Sequence, residues 1–334
     1  MKHSDYDDEF GINETIRATK DRSDRFNLGY EPKAYFPPSR RDTPMIIDTD
    51  AGGDPDDAIA LIAAAAEPTL ALVLTCDELG GERARFVRRL LDLLGRPDVP
   101  VVTGSDLGNT RLNCIDGLTP PHVPHQPDDI RAAVAKVLDS TTGPVRWVGI
   151  GPASNLAALL TERPDLAERL AVFQVGGALR YRDPERADHN FRTDIPAATA
   201  LLGLVRLPYL QLSETTFTPE VEIAKDSPLH RLLADPTGPE WARFVAAHMD
   251  QWYAKFHHAT MQHDALALSS AMELPFAGYY RAQIAIDERA RTTVVPDGIH
   301  VRLTGVTHHE PFMRWLTEQI ETAIAAGTGP AAQA

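Results

Sequence analysis

The chain has 334 residues, of which 43% are hydrophobic and 24% are charged, and its formal net charge is −14. This composition is typical of a soluble globular protein with one large or two small domains. An acidic surface repels nucleic-acid phosphates, so a DNA- or RNA-binding role is disfavoured, whereas a cation or a neutral small substrate fits. No stretch reaches the roughly 18 apolar residues of a membrane span, so we expect no membrane partner.

The first 43 residues are polar and carry no sustained hydrophobic periodicity. We expect an N-terminal extension over residues 1–43 that wraps the domain, contacts another subunit or stays disordered. It has no apolar segment of a secretory signal, and Cys76 and Cys114 fit neither a zinc motif nor a disulfide framework. We therefore expect two reduced thiols and a cytoplasmic protein.

From residue 44 onward, short apolar runs alternate with segments of helical periodicity. The pattern predicts strands over 45–47, 70–75, 99–102, 145–149 and 171–175, and helices over 58–66, 83–94, 130–138 and 155–160. This alternation is typical of an α/β domain with a largely parallel sheet. Further on, the pattern predicts helices over 240–257, 264–271 and 308–324 and strands over 283–286, 292–295 and 300–303. We assign residues 44–326 to one domain and residues 327–334 to a flexible tail.

Aspartates crowd the loop after the first predicted strand, at positions Asp48, Asp50, Asp54, Asp56 and Asp57. Ligands of an α/β sheet bind outside the carboxyl ends of its strands, where this loop lies. Carboxylates so close together raise one another's pKa, and a bound cation removes that cost. Hard oxygen ligands favour Ca²⁺ or Mg²⁺ over zinc or copper, and Gly52 and Gly53 allow the sharp turn that aims them at one point.

Three other interpretations explain fewer of these residues. A solvated loop in which Asp54 or Asp56 caps the next helix accounts for one or two aspartates but not for the whole cluster. A haloacid-dehalogenase-type phosphatase also begins with Asp-x-Asp, but it requires Thr or Val where this chain has Gly52. The Gly-x-Gly of residues 149–151 begins like a dinucleotide-binding loop, but Ser154 replaces the third glycine.

Several segments occur in the order in which they appear in the calcium-dependent, inosine-uridine-preferring nucleoside hydrolases. The acidic loop resembles that family's opening Asp-Thr-Asp-x-Gly…Asp-Asp-Ala signature. The resemblance covers residues 44–325 and rests on segments 48–61, 99–104, 149–157, 176–198 and 263–267. It implies the nucleoside hydrolase fold, an open, mixed but mostly parallel Rossmann-like sheet flanked by helices. It also implies hydrolysis of the N-glycosidic bond of a ribonucleoside or related ribosyl compound, a Ca²⁺ cofactor, and a homodimer or homotetramer.

Residue by residue, the resemblance implies a metal site and a proton acceptor. Asp50 is expected to bind Ca²⁺ and to act as the general base for the attacking water. The other metal ligands are expected to be Asp57, Asp264 and the backbone carbonyl of Ile150. His263 is expected beside the leaving base, where its ordinary near-neutral pKa suits a proton donor.

The resemblance also implies contacts to the sugar. Asp56 is expected to bind a ribose hydroxyl, and Asp188 and Asn190 are expected to hold the sugar from the opposite side. Glycosidic cleavage builds positive charge on the ribose, so carboxylates placed near it favour the transition state.

Some positions depart from the family pattern. The acidic loop is two residues longer, which makes Asp54 an extra carboxylate, and the family's sugar-binding Glu is shortened to Asp188. Gly80-Gly81 stand where the family has Gly-Asn, and residues 180–182 stand where another asparagine is expected. Because arginine binds phosphate bidentately, Arg182 raises the alternative of a 5′-phosphorylated or modified nucleoside, unless it is a surface residue. A calcium-dependent ribosyl-binding protein without turnover is a further alternative.

Overall fold

A mixed sheet forms the centre of the molecule, which the computed structural model describes over residues 39–327. The strands are β1 (Met45–Thr49), β2 (Leu70–Thr75), β3 (Val101–Val102), β4 (Val145–Gly149), β5 (Leu170–Val175), β6 (Tyr209–Gln211), β7 (Glu222–Ala224), β8 (Ala259–Met261), β9 (Ala277–Ile286), β10 (Thr292–Val294) and β11 (Ile299–Thr307). The order across the central sheet is β10-β9-β11-β6-β5-β4-β1-β2-β3. Strands β7 and β8 pair separately as an antiparallel ribbon.

Helices connect the strands and cover both faces of the sheet. They are α1 (Asp56–Ala65), α2 (Glu82–Leu93), α3 (Ile130–Asp139), α4 (Ser154–Glu162), α5 (His189–Thr193), α6 (Ile195–Leu204), α7 (Pro228–Leu233), α8 (Glu240–Lys255), α9 (His263–Ala271) and α10 (His309–Ala326). Short 3₁₀ helices lie at Pro164–Arg169, Ser213–Thr215 and Pro219–Val221. Within residues 39–327, none of the helices has the length and apolar character needed to cross a bilayer.

The central strands are buried on both faces, and successive side chains point to opposite sides. In β1, Met45 and Ile47 join the apolar core formed with α1, α2, α8, α9 and α10. Ile46, between them, joins the core on the other face, which α3, α4 and α6 complete. Parallel strands covered by helices on both sides read as continuous apolar runs, as β1 and β2 do.

The strand order reverses next to β1. From β1 the chain builds outward through β2 to β3, and then returns to place β4 on the other side of β1, with β5 and β6 beyond it. All of these neighbouring pairs are parallel. A crevice opens outside the carboxyl ends of the strands at such a reversal, which is where ligands of this architecture bind.

The predicted mixed and mostly parallel sheet flanked by helices is confirmed. Strands predicted over 70–75 and 145–149 have those bounds, whereas the strand predicted over 99–102 is reduced to β3. Pro100 has no N–H to donate to a neighbouring strand, although its carbonyl accepts a hydrogen bond from the Val73 N–H at 3.0 Å.

The sequence pattern does not predict α5, α6, α7 or the short strands β6, β7 and β8. In α6 apolar residues occupy nearly every side of the helix, so the stripe that marks an amphipathic helix is absent. The start of α6 is instead set by Asp194, whose carboxylate accepts from the Ala197 N–H at 3.0 Å, with Pro196 in the first turn.

The end of the predicted N-terminal extension is held against the domain. The Ser39 hydroxyl donates to the Glu273 carboxylate at 2.6 Å, and the buried Arg146 guanidinium donates to the carbonyls of Arg41 at 3.0 Å and Thr43 at 2.7 Å. Residues 1–38 of that extension and residues 328–334 of the predicted tail lie outside the described residues. The division into extension, domain and tail stays a prediction.

Candidate functional site

Two helix N-termini bring three aspartates together at the carboxyl edge of the sheet. Asp56 and Asp57 are the first residues of α1, and Asp264 is the second residue of α9. One carboxylate oxygen from each lies within 4.8 Å of the other two, and each residue is 4% exposed. The positive ends of the two helices favour negative charge here, but three carboxylates at this distance repel one another.

Burial is the main cause of a pKa well above the ordinary value for Asp56, Asp57 and Asp264, and the charges of neighbouring aspartates raise it further. A divalent cation that takes the place of the protons removes both the repulsion and the cost of burial. Three oxygen donors within reach of one point fit a hard cation such as Ca²⁺ or Mg²⁺. The structure therefore brings together two of the predicted metal ligands, Asp57 and Asp264, and places the predicted ribose ligand Asp56 beside them.

Asp50 lies beside this cluster at the end of β1. Its charge raises the pKa values of Asp57 and Asp264, although its carboxylate is not one of the three that meet within 4.8 Å. A Cβ added at Gly151 would lie 2.8 Å from the Asp50 backbone nitrogen and 2.9 Å from its Oδ1. The residues after β4 must therefore include a glycine at position 151 for Asp50 to occupy this place.

A fully buried arginine holds the backbone of the acidic loop. The Arg83 guanidinium donates to the carbonyls of Asp50, Asp77 and Leu112, and it lies 3.7 Å from the Asp77 carboxylate. Asp77 follows β2 with a φ of 49°, in the left-handed region. Arg83 is not predicted from the sequence, where its one signal is a charged residue on the apolar side of α2.

An amide network ties together the ends of β1, β2 and β3. Asn155 donates through Nδ2 to Asp48 Oδ1 at 2.8 Å and to the Thr75 carbonyl at 2.9 Å, while its Oδ1 accepts from the Ser105 N–H at 2.9 Å. Asp48 Oδ2 is buried and has no hydrogen-bond partner among the described residues. Burial raises the pKa of Asp48 to about 8, against the lowering effect of the bond from Asn155. Through Asn155, Asp48 is therefore linked to the residues that follow β2 and β3.

The remaining predicted ligands on the β4–β5 side are engaged with backbone atoms. Asn190 Nδ2 donates to the Ile150 carbonyl at 2.9 Å and to the Val175 carbonyl at 3.0 Å. A carbonyl oxygen has a second lone pair, so Ile150 keeps one acceptor site. Asp188 caps α5 by accepting from the Phe191 N–H at 3.1 Å, and it accepts from the Gly177 N–H at 2.8 Å. Sugar contacts by Asp188 and Asn190 stay a prediction.

His263 begins α9 and is bonded through Nδ1 to the Thr216 hydroxyl. Burial lowers its pKa to about 4, and the positive charge of Arg182 lowers it further. The near-neutral pKa expected for a proton donor is therefore not retained, and the ring is neutral at pH 7. The exposed Arg182 guanidinium stacks on the rings of Phe217 at 4.2 Å and Tyr181 at 4.7 Å.

Asp54 and Gly53 attach the acidic loop to β8 and α8. Asp54 accepts from the Thr260 hydroxyl of β8, and burial raises its pKa to about 8. The His248 Nε2 of α8 lies 3.1 Å from the Gly53 carbonyl. Helix α1 has Pro55 at its N-cap position with no side-chain cap, but the Asp54 carboxylate accepts a hydrogen bond from the Asp56 N–H in the first turn. Asp54 therefore does contact the start of the helix, whereas the interpretation of a solvated loop is wrong because Asp48, Asp50, Asp56 and Asp57 are buried.

His189 is a further residue with no predicted role, although it stands between Asp188 and Asn190. Its Nε2 lies 3.7 Å from Asp50 Oδ2. No spacing rule connects the start of α5 with the end of β1, so only the folded chain reveals this pair.

The known proteins that this chain is similar to, in sequence and in structure, are nucleoside hydrolases. The family described as inosine-uridine preferring nucleoside hydrolase matches residues 45–321. A pyrimidine-specific ribonucleoside hydrolase of Salmonella typhi, RihA, is 34% identical over 190 residues, a match that covers 48% of this chain and 60% of the relative. Among solved structures, a plant nucleoside hydrolase has a TM-score of 0.70 at 19% identity, covering 83% of this chain and 98% of its own. A purine-preferring ribonucleoside hydrolase from Gardnerella vaginalis has a TM-score of 0.69 at 20% identity, covering 85% and 100%.

Proposed function

Because the chain belongs to the inosine-uridine preferring nucleoside hydrolase family, we propose that it hydrolyses the N-glycosidic bond of a ribonucleoside, releasing the free base and ribose. The proposed cofactor is Ca²⁺, held by Asp50, Asp57, Asp264 and the Ile150 carbonyl. One observation carries the proposal: buried carboxylates from α1 and α9, far apart in the chain, meet at the crevice beside Asp50. Because they meet at the strand reversal, the site lies where this architecture binds small ligands.

Asp50 acts as the base in the proposed reaction. A bound Ca²⁺ would supply positive charge that makes a water easier to deprotonate and would help to orient the ribose diol. Asp50 takes the proton of the attacking water as the bond from the sugar to the base breaks. Its backbone, fixed by Arg83 and by the close approach of Gly151, keeps the carboxylate in one place for this step.

Carboxylates around the sugar favour the charge that develops on it. Asp56 is proposed to bind a ribose hydroxyl, and Asp188 and Asn190 to contact the opposite side of the sugar. Positive charge grows on the ribose as the glycosidic bond lengthens, and anionic groups that are already in place stabilise that charge without reorganising.

The leaving base is proposed to lie beside His263. Since burial keeps this imidazole uncharged at neutral pH, it acts by donating a hydrogen bond from a ring N–H to the leaving base rather than by transferring a proton as an imidazolium. The base leaves with the electron pair of the glycosidic bond and takes up a proton from solvent water. Thr216 bonds the ring at Nδ1. Donation from Nε2 requires the Thr216 hydroxyl to give its one hydrogen to Nδ1 rather than to the Ser213 carbonyl 3.3 Å away, so that the ring hydrogen lies on Nε2. Replacing His263 by Phe keeps the volume and removes the donor, so we expect a lower kcat with the metal affinity unchanged.

A 5′-phosphorylated nucleoside is the second candidate substrate, because the exposed guanidinium of Arg182 lies close enough to His263 to affect its pKa. This candidate predicts a higher kcat/KM for the 5′-monophosphate than for the nucleoside, and loss of that preference in Arg182→Gln. Equal loss on both substrates would remove the phosphate role.

The function is tested by incubating the full chain with uridine, cytidine, inosine and their 5′-monophosphates, with Ca²⁺ or with a chelator, and measuring free base and free phosphate. We expect base release that requires Ca²⁺, is lost in Asp57→Asn and is kept in Asp128→Asn, a matched change at an exposed aspartate. Phosphate release without base release would support a phosphatase instead. Ligand binding without any product would support a ribosyl-binding protein.

A homodimer or homotetramer in the cytoplasm is proposed as the working form. Exposed apolar side chains lie on the outer strands β9–β11, namely Tyr280, Val294, Ile299 and Val306. An apolar surface of this kind is typical of a contact between subunits. Sedimentation of the full chain checks this; a mass of one chain at micromolar concentration would contradict it.

A further inference from the structure

His189 has a ring nitrogen close to Asp50 that is hydrogen-bonded to no other described residue. Its Nε2 is buried, has no hydrogen-bond partner among residues 39–327, and lies 3.7 Å from Asp50 Oδ2. This distance exceeds that of a direct hydrogen bond by about 0.7 Å. Because the ring is still 35% exposed, it has room to turn by the small amount that closes the gap. Hydrogen bonds of catalytic groups are often long before the substrate binds.

Arg192 determines which ring nitrogen carries the hydrogen. Its Nη2 lies 3.3 Å from His189 Nδ1. A guanidinium has donors and no acceptor, so Nδ1 must present its lone pair, and the hydrogen of the neutral ring then resides on Nε2. Arg192 is itself held by bonds from Nη1 to the Tyr181 hydroxyl at 3.1 Å and to the Ala187 carbonyl at 3.0 Å. The N–H that results is therefore on the nitrogen that lies 3.7 Å from Asp50 Oδ2.

The backbone of His189 is fixed on both sides. Asp188 caps the helix that His189 begins, and Asn190 bonds the carbonyls of Ile150 and Val175. The ring is therefore presented to the end of β1 by the same short helix that closes the β4–β5 side of the site.

We propose that His189 is a positioning residue for Asp50: its Nε2–H donates to Asp50 Oδ2 and holds that carboxylate in the orientation needed to bind the cation and accept the proton, while Arg192 fixes the tautomer. The proposal rests on the proposed function of Asp50. Replacing a group that orients a metal-binding side chain in this way typically lowers metal affinity or activity by about 10- to 100-fold.

The test uses two variants of the full chain. His189→Gln keeps an N–H near the position of Nε2, and His189→Leu removes it with little change in volume. We expect His189→Leu to lower both the Ca²⁺ affinity, measured by calorimetry without substrate, and kcat by about 10-fold or more. We expect His189→Gln to stay within about threefold of the wild type in both, and the melting temperatures of all three proteins to agree. Wild-type values in the Leu variant, or equal losses in Gln and Leu, would overturn the proposal.

The tautomer gives a readout that does not depend on activity. In a ¹⁵N-labelled protein, the His189 ring, identified by its absence from His189→Leu, is expected to show a protonated Nε2 and an unprotonated Nδ1. Arg192→Leu is expected to remove this preference. A ring protonated on Nδ1 in the wild type would overturn the proposal even if the enzyme is active. Absence of Ca²⁺ binding and base release in the wild type would count against the proposed function instead.

Discussion

Replacing Gly151 by alanine perturbs the point where the end of β4 meets Asp50. The added Cβ would lie 2.6 Å from Cys76 Sγ, 2.8 Å from the Asp50 backbone nitrogen and 2.9 Å from Asp50 Oδ1. Atoms in ordinary contact are about 3.5 Å apart, so relieving the contact with the backbone nitrogen needs a shift of roughly 0.7 Å. The side chain of Cys76 is fully buried and has nowhere to retreat. The shift must therefore fall on Asp50 and on the strand that carries it.

Overpacking of this kind costs about 1–3 kcal/mol, which for a chain of this size lowers the melting temperature by roughly 2–6 °C. The effect on catalysis is larger, since a misplacement approaching 1 Å costs about 100-fold in rate. We therefore expect Gly151→Ala to fold, to melt a few degrees lower, and to lose about 100-fold in kcat/KM. Calorimetric melting and a base-release assay measure the two quantities.

The matched control is the same substitution at Gly203, near the end of α6. A Cβ there meets no atom within 4 Å, and alanine favours a helix over glycine by about 0.5–1 kcal/mol. Gly203→Ala is expected to melt slightly higher and to keep full activity. If Gly151→Ala retained wild-type melting and activity, Asp50 would not lie where we place it.

Two further predictions concern groups that hold the acidic loop. Burial lowers the pKa of His248 to about 3, so the stability that this neutral ring contributes is complete above pH 6.5 and is lost as the pH falls towards 3. The variant His248→Gln keeps an N–H for the Gly53 carbonyl but cannot titrate in this range. We expect it to reduce the slope of the free energy of unfolding against pH by up to about 1.4 kcal/mol per pH unit. Urea unfolding at a series of pH values measures this slope, and parallel curves for the variant and the wild type would contradict the prediction. Arg83→Met removes the positive charge beside the buried Asp77 carboxylate and leaves it the hydrogen bond from the Asn109 amide. The loss of this charge should lower the free energy of unfolding by about 3–5 kcal/mol, whereas Arg131→Met at an exposed pair should change it by less than about 1 kcal/mol. Equal effects of the two substitutions would show that Arg83 does not anchor the loop.

The strand and the loop that carry the site could be predicted from the sequence because their local pattern is strong. The apolar run before Asp48 and the cluster of carboxylates after it predict a strand that ends at a cation site. The resemblance then supplies Asp264, which local chemistry alone does not connect with Asp57. Their convergence depends on the packing of α9 against α1, a long-range contact that periodicity does not predict.

The contacts that set the pKa values and the positions of individual side chains could not be predicted from the sequence. The pKa of His263 depends on its burial and on Arg182, which reaches it from another loop. His189 and Arg83 meet Asp50 only in the folded chain, and nothing in their neighbouring residues distinguishes them from ordinary polar positions. The uniformly apolar α6 was missed because a helix without a polar face has no amphipathic period.

Calcium binding by the full chain after removal of bound metal tests the central claim most directly. Isothermal titration with Ca²⁺ should show one ion per chain for the wild type and for Asp128→Asn, and a loss of binding for Asp264→Asn, since Asp264 supplies one of the three converging carboxylates. A wild-type protein that binds no Ca²⁺, or an Asp264→Asn variant that binds it with unchanged affinity, would contradict a metal site built from α1 and α9.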